Sequence, residues 1–150
     1  MSESLAQQLR GNLEAQRDCA QRLLGLLQEE RTALIASDVE RLETITRTKA
    51  EAAGLMQTLG QALQQLRGAA SIERLLASLR EHAPAALWRE LLGLAAQCQR
   101  ANDDNAVLLG TREAQLKQTL RAFRPPESPE LYGRSGYAAL GLPARDFGSA

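Results

Sequence analysis

The chain has 150 residues with 18 basic and 18 acidic side chains, and its 27 Leu contrast with only five Ile and Val together. This balance excludes the basic surface typical of nucleic-acid-binding proteins and favours long helices packed in a bundle. No apolar run approaches the roughly 20 residues that span a bilayer, and the first residues lack a signal-peptide pattern, so we expect a cytoplasmic protein without stable membrane insertion.

The first predicted helix covers residues 5–36, and the second covers residues 39–67. A short Ser-Asp step separates them, where either Ser37, paired with Glu40 in a capping box, or Asp38 can cap the second helix. Such a short connection between two amphipathic helices predicts an antiparallel hairpin. Residues at heptad spacing should bury one face of each helix. In the first helix these are Leu9, Leu13, Gln16, Ala20, Leu23, Leu27, Glu30 and Leu34. In the second they are Leu42, Ile45, Lys49, Ala52, Met56, Leu59, Leu63 and Leu66.

Gly68 is typical of a helix C-terminus, and Ser71 is typical of the N-terminus of the next helix. We therefore predict a short helix over residues 71–82, with Ser71 as its cap. The Ala83-Pro84 step should break it, because the residue before proline disfavours helical backbone. Pro84 suits the first turn of a long last helix over residues 84–123.

This last helix carries two apolar stripes, which indicates more than one helical neighbour. The first is Leu87, Leu91, Leu94, Cys98, Ala101, Asn105 and Leu108. The second is Trp88, Leu92, Ala95, Asn102, Ala106, Leu109, Leu116, Leu120 and Phe123. If the helix reaches past the hairpin, then Leu109, Leu116, Leu120 and Phe123 should be partly exposed. Contiguous exposed apolar side chains usually mark a binding site.

Asn102 and Asn105 interrupt these stripes in mid-helix. One interpretation is that they specify helix register, since a buried asparagine sets pairing at a cost in stability. The other is a polar contact to a partner helix or to the backbone of a connecting loop.

The segment "RPPESPE" stops all helix, because prolines cannot continue it. We predict a helical bundle over residues 1–124 and a flexible Pro- and Gly-containing tail over residues 125–150. The tail holds Tyr132, Tyr137 and Phe147, which are three of the few aromatic residues in the chain.

Residues that carry chemistry are scarce. The single histidine, His82, lacks neighbours for catalysis or metal binding, and we expect it at the surface or at a helix cap. Cys19 and Cys98 fall at apolar helical positions and should be buried, reduced thiols. Asp103 and Asp104 point about 100° apart on a helix and do not converge as an acid-base pair would. We expect no enzyme, no cofactor and no metal site.

Three features occur together and in order. The hairpin reads "LLGLLQEERTALIASDVERLETITRTKAEAAGLMQTL", the last helix contains "RANDDNAVLL" with its N-x-x-N step, and the tail contains "LYGRSG". This combination resembles the FlgN family of flagellar export chaperones over nearly the whole chain.

The resemblance implies a helical chaperone without ATPase activity that binds the C-terminal helical region of hook-associated (hook–filament junction) proteins. It would prevent their premature assembly and deliver them to the flagellar export gate and export ATPase complex. Client binding would lie in the C-terminal part. There, the apolar stripe of the last helix and its two asparagines supply the candidate client-binding residues Asn102, Asn105, Leu109, Leu116, Leu120 and Phe123. Tyr132 matches the position that would contact the export gate.

A second hypothesis is a structural coiled-coil adaptor that oligomerises through the same apolar stripe. Both hypotheses use an amphipathic helix as the binding element, and they differ in whether the bound helix belongs to a client or to another copy of the chain.

Overall fold

The computed structural model describes residues 4–123, and these residues form four α-helices with no strand among them. The helices are α1 (Leu5–Ala36), α2 (Val39–Arg67), α3 (Ile72–Ser78) and α4 (Ala83–Phe123). The predicted all-α, bundle-like fold is confirmed. The predicted bounds of the first two helices coincide with those of α1 and α2. The short helix was predicted too long, because α3 ends at Ser78.

The predicted heptad seam of α1 is confirmed, since all eight of its residues are buried. The seam of α2 is buried at five of its eight positions, while Met56, Leu59 and Leu66 are half-buried. Both seams include charged or amide side chains, among them Glu30 and Lys49, which lie in the interior. Periodicity therefore placed the buried faces correctly even where the residue itself was polar.

The turn between α1 and α2 is a Schellman motif. The Asp38 amide donates to the Ala33 carbonyl at 2.9 Å, and the Ser37 amide donates to the Leu34 carbonyl at 3.3 Å. Ser37 adopts the left-handed conformation that this motif needs, with a φ of 55°. Asp38 is the cap of α2, because its carboxylate accepts a hydrogen bond from the Arg41 amide at 3.2 Å. Of the two predicted caps, the structure selects Asp38.

The predicted cap of α3 is confirmed, since the Ser71 hydroxyl accepts a hydrogen bond from the Arg74 amide at 3.2 Å. The predicted break at Ala83-Pro84 is wrong by one residue, because Ala83 is already helical. Pro84 is tolerated in the first turn because the amide hydrogen it lacks would have no partner there. The exposed His82 precedes the helix, and its carbonyl accepts from the Ala86 amide at 3.1 Å.

The described residues divide into two compact units, each with its own core. Unit 1 comprises residues 4–25 and 49–98. In it α1 and α2 run antiparallel, as shown by the Asn12 amide donating to the Leu59 carbonyl at 2.9 Å and the Cys19 thiol donating to the Ala52 carbonyl at 3.2 Å. The core of unit 1 consists of Leu9, Leu13, Ala20, Leu63, Ile72, Leu75, Leu87 and Leu91. The short helix α3 is therefore packed into this core.

Both cysteines lie in unit 1 and are free, buried thiols, as predicted. The Cys98 thiol donates to the Ala20 carbonyl at 3.5 Å. Burial raises the pKa of both thiols, because it penalises the charged thiolate. They are structural side chains rather than reactive ones, since the thiolate is the nucleophilic form.

Unit 2 comprises residues 26–48 and 99–123. Its core consists of Ala33, Leu34, Leu42, Ile45 and Leu109, with Leu108 packed against it. The three helical segments of this unit thus share one small apolar cluster next to the α1–α2 turn.

Two glycines, one inside α2 and one directly after its last residue, should respond in opposite ways to alanine. Gly68 ends the helix at a φ of 59°, whereas Gly54 lies within it, and neither has a neighbour that an added Cβ would meet. We expect Gly68→Ala to lower the free energy of unfolding by about 1 kcal/mol, because left-handed backbone disfavours a Cβ. Gly54→Ala should raise it by about 0.5–1 kcal/mol. Urea unfolding followed by circular dichroism measures both, and shifts of the same sign would contradict this account of the α2 terminus.

Candidate functional site

All six residues predicted to bind a partner lie on α4 in unit 2, but they fall into two groups. Three are buried, and these are Asn102, Asn105 and Leu109. Three are exposed or half-buried, and these are Leu116, Leu120 and Phe123. The change occurs between Leu109 and Leu116, which is the stretch of α4 next to the α1–α2 turn.

Asn105 connects α4 to α1. Its side-chain amide nitrogen donates to the Leu27 carbonyl at 2.8 Å and to a carboxylate oxygen of Glu30 at 2.9 Å. Both donor hydrogens of the amide are therefore engaged within the chain. Glu30 is fully buried, and burying a carboxylate is costly unless its oxygens accept hydrogen bonds. The bond from Asn105 supplies one of these. These bonds support the interpretation that Asn105 specifies helix register.

Leu109 lies in the core and not on the surface. It is 6% exposed and packs with Ala33, Leu34, Leu42 and Ile45. The expectation that it would be partly exposed is therefore wrong, because α1 and α2 both extend far enough to cover it. The exposed part of the stripe begins one heptad later, at Leu116.

Arg112 lies between the buried and exposed parts of the stripe, and the sequence analysis did not identify it. Its guanidinium donates to the Ser37 hydroxyl at 3.1 Å and to the Ile35 carbonyl at 2.6 Å. The Ile35 carbonyl belongs to the last turn of α1, where carbonyls lack intrahelical partners and attract positive charge. The sequence did contain a signal for this contact, because Arg112 follows Asn105 by seven residues and so lies on the same face of α4.

Beyond Arg112, α4 continues for eleven residues, from 113 to 123, while α1 has already ended at Ala36. These residues add about 16 Å of helix. Asn105 contacts Leu27 and Arg112 contacts Ile35, so α4 runs in the same direction as α1 and passes its end. The face of α4 that packs on α1 therefore continues past the helix that covers it.

This continued face is apolar. Leu116 is 51% exposed, Phe123 is 83% exposed, and Leu120 is half-buried. The spacing of four and three residues places all three on the side of α4 that carries Asn105 and Arg112. We call Leu116, Leu120 and Phe123 the terminal apolar face. A contiguous apolar face of this kind is typical of a site that receives a partner helix.

Another exposed apolar residue of α4 does not belong to this face. Val107 is 71% exposed, and its position in the sequence puts it about 180° away from Leu116 around the helix axis. Single exposed apolar side chains are common on soluble proteins. The terminal apolar face differs because its members are consecutive along one side.

The described part of the chain shows no arrangement for metal chemistry, since residues 4–123 contain no group of three or more His, Cys, Asp or Glu placed to hold an ion. Over the same span, none of the helices combines the length and apolar character needed to cross a bilayer. Tyr132 was predicted to contact an export gate, and it lies outside the described residues, as do Tyr137 and Phe147.

Residues 4–123 are helical almost throughout, and an amphipathic helix end with exposed apolar side chains is a feature common in proteins that bind other helices. Comparison with protein families is more specific, because the family model described as "FlgN protein" matches residues 1–139. The chain belongs to the FlgN family, which is a family of flagellar chaperones. Among curated proteins and among solved structures, no significant match is found.

Replacing Asn105 tests its place in the interior. Asn105→Ala should lower the free energy of unfolding by about 2 kcal/mol, because the buried Glu30 carboxylate loses a donor. Asn102→Ala is the control, since Asn102 is buried on the same helix but takes part in neither of the two bonds. Urea unfolding at neutral pH measures both variants. An equal loss in the two would show that buried volume, and not the hydrogen bonds, is what Asn105 contributes.

Proposed function

We propose that this protein is a cytoplasmic export chaperone for flagellar hook-associated proteins. It binds the C-terminal helical region of the client, prevents premature assembly, and delivers the client to the flagellar type III export apparatus. Membership of the FlgN family supports the role. The terminal apolar face is the single structural observation that supports the proposal, because its apolar side chains are aligned along one side of α4 and two of them are largely exposed among the described residues.

In the proposed complex, the client segment adds to the end of α4 as an amphipathic helix. Its apolar residues at i, i+3, i+4 and i+7 pack against Leu116, Leu120 and Phe123, which have the same spacing. The client segment is disordered before binding, so folding on the chaperone costs part of the interaction free energy. The resulting affinity is lower for a given contact area, which permits release at the export apparatus without nucleotide hydrolysis.

The six predicted client-binding residues then have two roles. The members of the terminal apolar face contact the client directly. Asn102, Asn105 and Leu109 lie inside unit 2 and act by holding α4 in place beneath that face. This division follows from burial, since a side chain in the core cannot reach a client unless the unit opens.

Delivery requires a second contact that leaves the client in place. We propose that Tyr132 makes this contact to the export gate, with the export ATPase complex as a further partner. The support is the resemblance of "LYGRSG" to the post-helical region of FlgN proteins. A tyrosine suits such a role, because its ring supplies apolar contact area while its hydroxyl remains available for a hydrogen bond.

The alternative, a coiled-coil adaptor, uses the terminal apolar face to bind another copy of the chain. Light scattering on the isolated protein separates the two hypotheses. A monomer that becomes a one-to-one complex with a hook-associated protein supports the chaperone. A tight symmetric dimer that does not bind hook-associated proteins supports the adaptor.

Substituting the terminal apolar face tests client binding. Leu116→Ala should weaken binding to the hook-associated proteins of the same bacterium by about 5- to 30-fold, which corresponds to the roughly 1–2 kcal/mol of a lost leucine contact. Phe123→Ala should weaken it at least as much. Leu92→Ala is the matched control, because Leu92 lies on the same helix and is 50% exposed, against 51% for Leu116. Calorimetry measures the dissociation constants.

A chain ending at Arg112 extends this test. It keeps the core residue Leu109 and the contact to the α1–α2 turn, and it removes the whole terminal apolar face. Client binding should be lost while helical content in the remaining bundle is retained. If the shortened chain binds as tightly as the full one, the client site lies elsewhere.

A separate prediction concerns delivery. Tyr132→Ala should leave client affinity unchanged and weaken binding of the chaperone–client complex to the purified export gate. Tyr137→Ala is the control, since it removes the same side chain five residues away. Biolayer interferometry against the immobilised gate protein measures the difference. Equal gate affinity for parent and Tyr132→Ala would exclude Tyr132 as the contact.

A further inference from the structure

At the end of α1, α4 is held by a pair of hydrogen bonds from Arg112. One guanidinium nitrogen donates to the Ile35 carbonyl at 2.6 Å and another donates to the Ser37 hydroxyl at 3.1 Å. The two acceptors lie on either side of Ala36, so the planar guanidinium spans the point where α1 ends. Such a two-point contact fixes an orientation as well as a distance, because the guanidinium donors form a rigid fork.

The acceptors are themselves held in place. Ser37 is the left-handed residue of the Schellman turn, and its own amide is bonded to Leu34. The Ile35 carbonyl is part of the regular backbone at the end of α1. Arg112 is therefore bound to a defined turn whose neighbouring residues Asp38 and Arg41 are also bonded to each other.

Because Arg112 lies just before the terminal apolar face, a small change in helix direction at Arg112 displaces that face by several ångströms. Residues 113–123 extend about 16 Å beyond it, so a tilt of about 10° at Arg112 moves the helix end by about 3 Å. Apolar packing requires heavy atoms within about 4–4.5 Å, and a shift of that size would separate Phe123 from a bound helix. The direction in which α4 leaves the turn thus decides whether its three apolar residues can engage one partner together.

We infer that Arg112 is a positioning residue for client binding. It does not touch the client, and it aligns residues 113–123 by binding the α1–α2 turn. This inference rests on the proposed function, because it assigns to Arg112 the orientation of the proposed client surface. It also makes the α1–α2 turn part of the binding mechanism, although the turn lies outside the terminal apolar face.

Two substitutions separate positioning from simple stabilisation. Arg112→Gln removes the charge and the fork, whereas Arg112→Lys keeps the charge and lacks the planar two-point geometry. Arg100→Gln is the control for losing a positive charge, since Arg100 is an exposed residue of the same helix. The full chain is used in every case, with the hook-associated proteins of the same bacterium as probes.

Binding and alignment are then measured independently. Arg112→Gln should weaken client binding about tenfold, because α4 without this contact to the turn samples orientations that the bound state excludes. Arg112→Lys should fall between Gln and parent, and Arg100→Gln should match parent. The alignment of residues 113–123 with α1 is measured without client. Spin labels are placed at Thr32 and Thr119, with both native cysteines replaced by serine, and electron paramagnetic resonance gives the distribution of distances between them. It should broaden in Arg112→Gln and remain narrow in Arg100→Gln.

Each outcome decides between the hypotheses. If the parent binds no hook-associated protein, the proposed function fails. If the parent binds and Arg112→Gln binds equally well, or if its distance distribution stays narrow, the inference fails and the proposed function stands. If Arg112→Gln loses binding only in proportion to a loss of helical content across the chain, Arg112 is a structural residue and the inference also fails.

Discussion

The hydrogen bonds of Asn105 to α1 are the interaction on which the candidate site depends. They join a buried amide to the Leu27 carbonyl and to the buried Glu30 carboxylate. A register shift of α4 along α1 would remove this donor from Glu30, at a cost of about 1–3 kcal/mol or more for a charged group. An apolar seam tolerates such a shift more easily, because one leucine can replace another. These bonds support the interpretation that the asparagine specifies the axial position of α4 in unit 2, and with it the number of residues that pass the end of α1.

Because α4 extends past the end of α1, one periodic stripe of apolar residues is buried in one part of α4 and exposed in the next. The stripe of α4 is core at Leu109, where α1 and α2 cover it, and it is surface at Leu116 and Phe123, which follow at the same periodicity. Nothing in the chemistry of these side chains distinguishes them. Their environments differ because α1 ends at Ala36 and α4 does not end until Phe123.

The size of the proposed binding face, which has three side chains, also limits the affinity that can be expected of it. Burying a leucine or phenylalanine fully contributes about 1.5–3 kcal/mol, and association costs at least about 4 kcal/mol. Leu120 is already half-buried and Leu116 is only 51% exposed, so the terminal apolar face by itself would support modest binding. Modest binding is compatible with the proposed function, in which the chaperone releases its client. It also makes alignment important, since no single contact is strong enough to compensate for the loss of the others.

The sequence by itself determined the helices, most of their ends and their buried faces. Gly68 and Ser71 act through hydrogen bonds or backbone angles within a few residues, and heptad spacing repeats over one or two turns, so a linear pattern contains this information. The choice between Ser37 and Asp38 as the cap of α2 was made only by the structure. The order of motifs also pointed to the FlgN family, which the family comparison established. The tertiary structure alone decided that Leu109 is core, that Asn105 binds Glu30, and that Arg112 binds the turn. The hydrogen bonds of Asn105 and Arg112 join residues 75 to 78 positions apart in the chain. Burial is a property of two surfaces in contact, and the pattern of one helix does not contain the length of its neighbour.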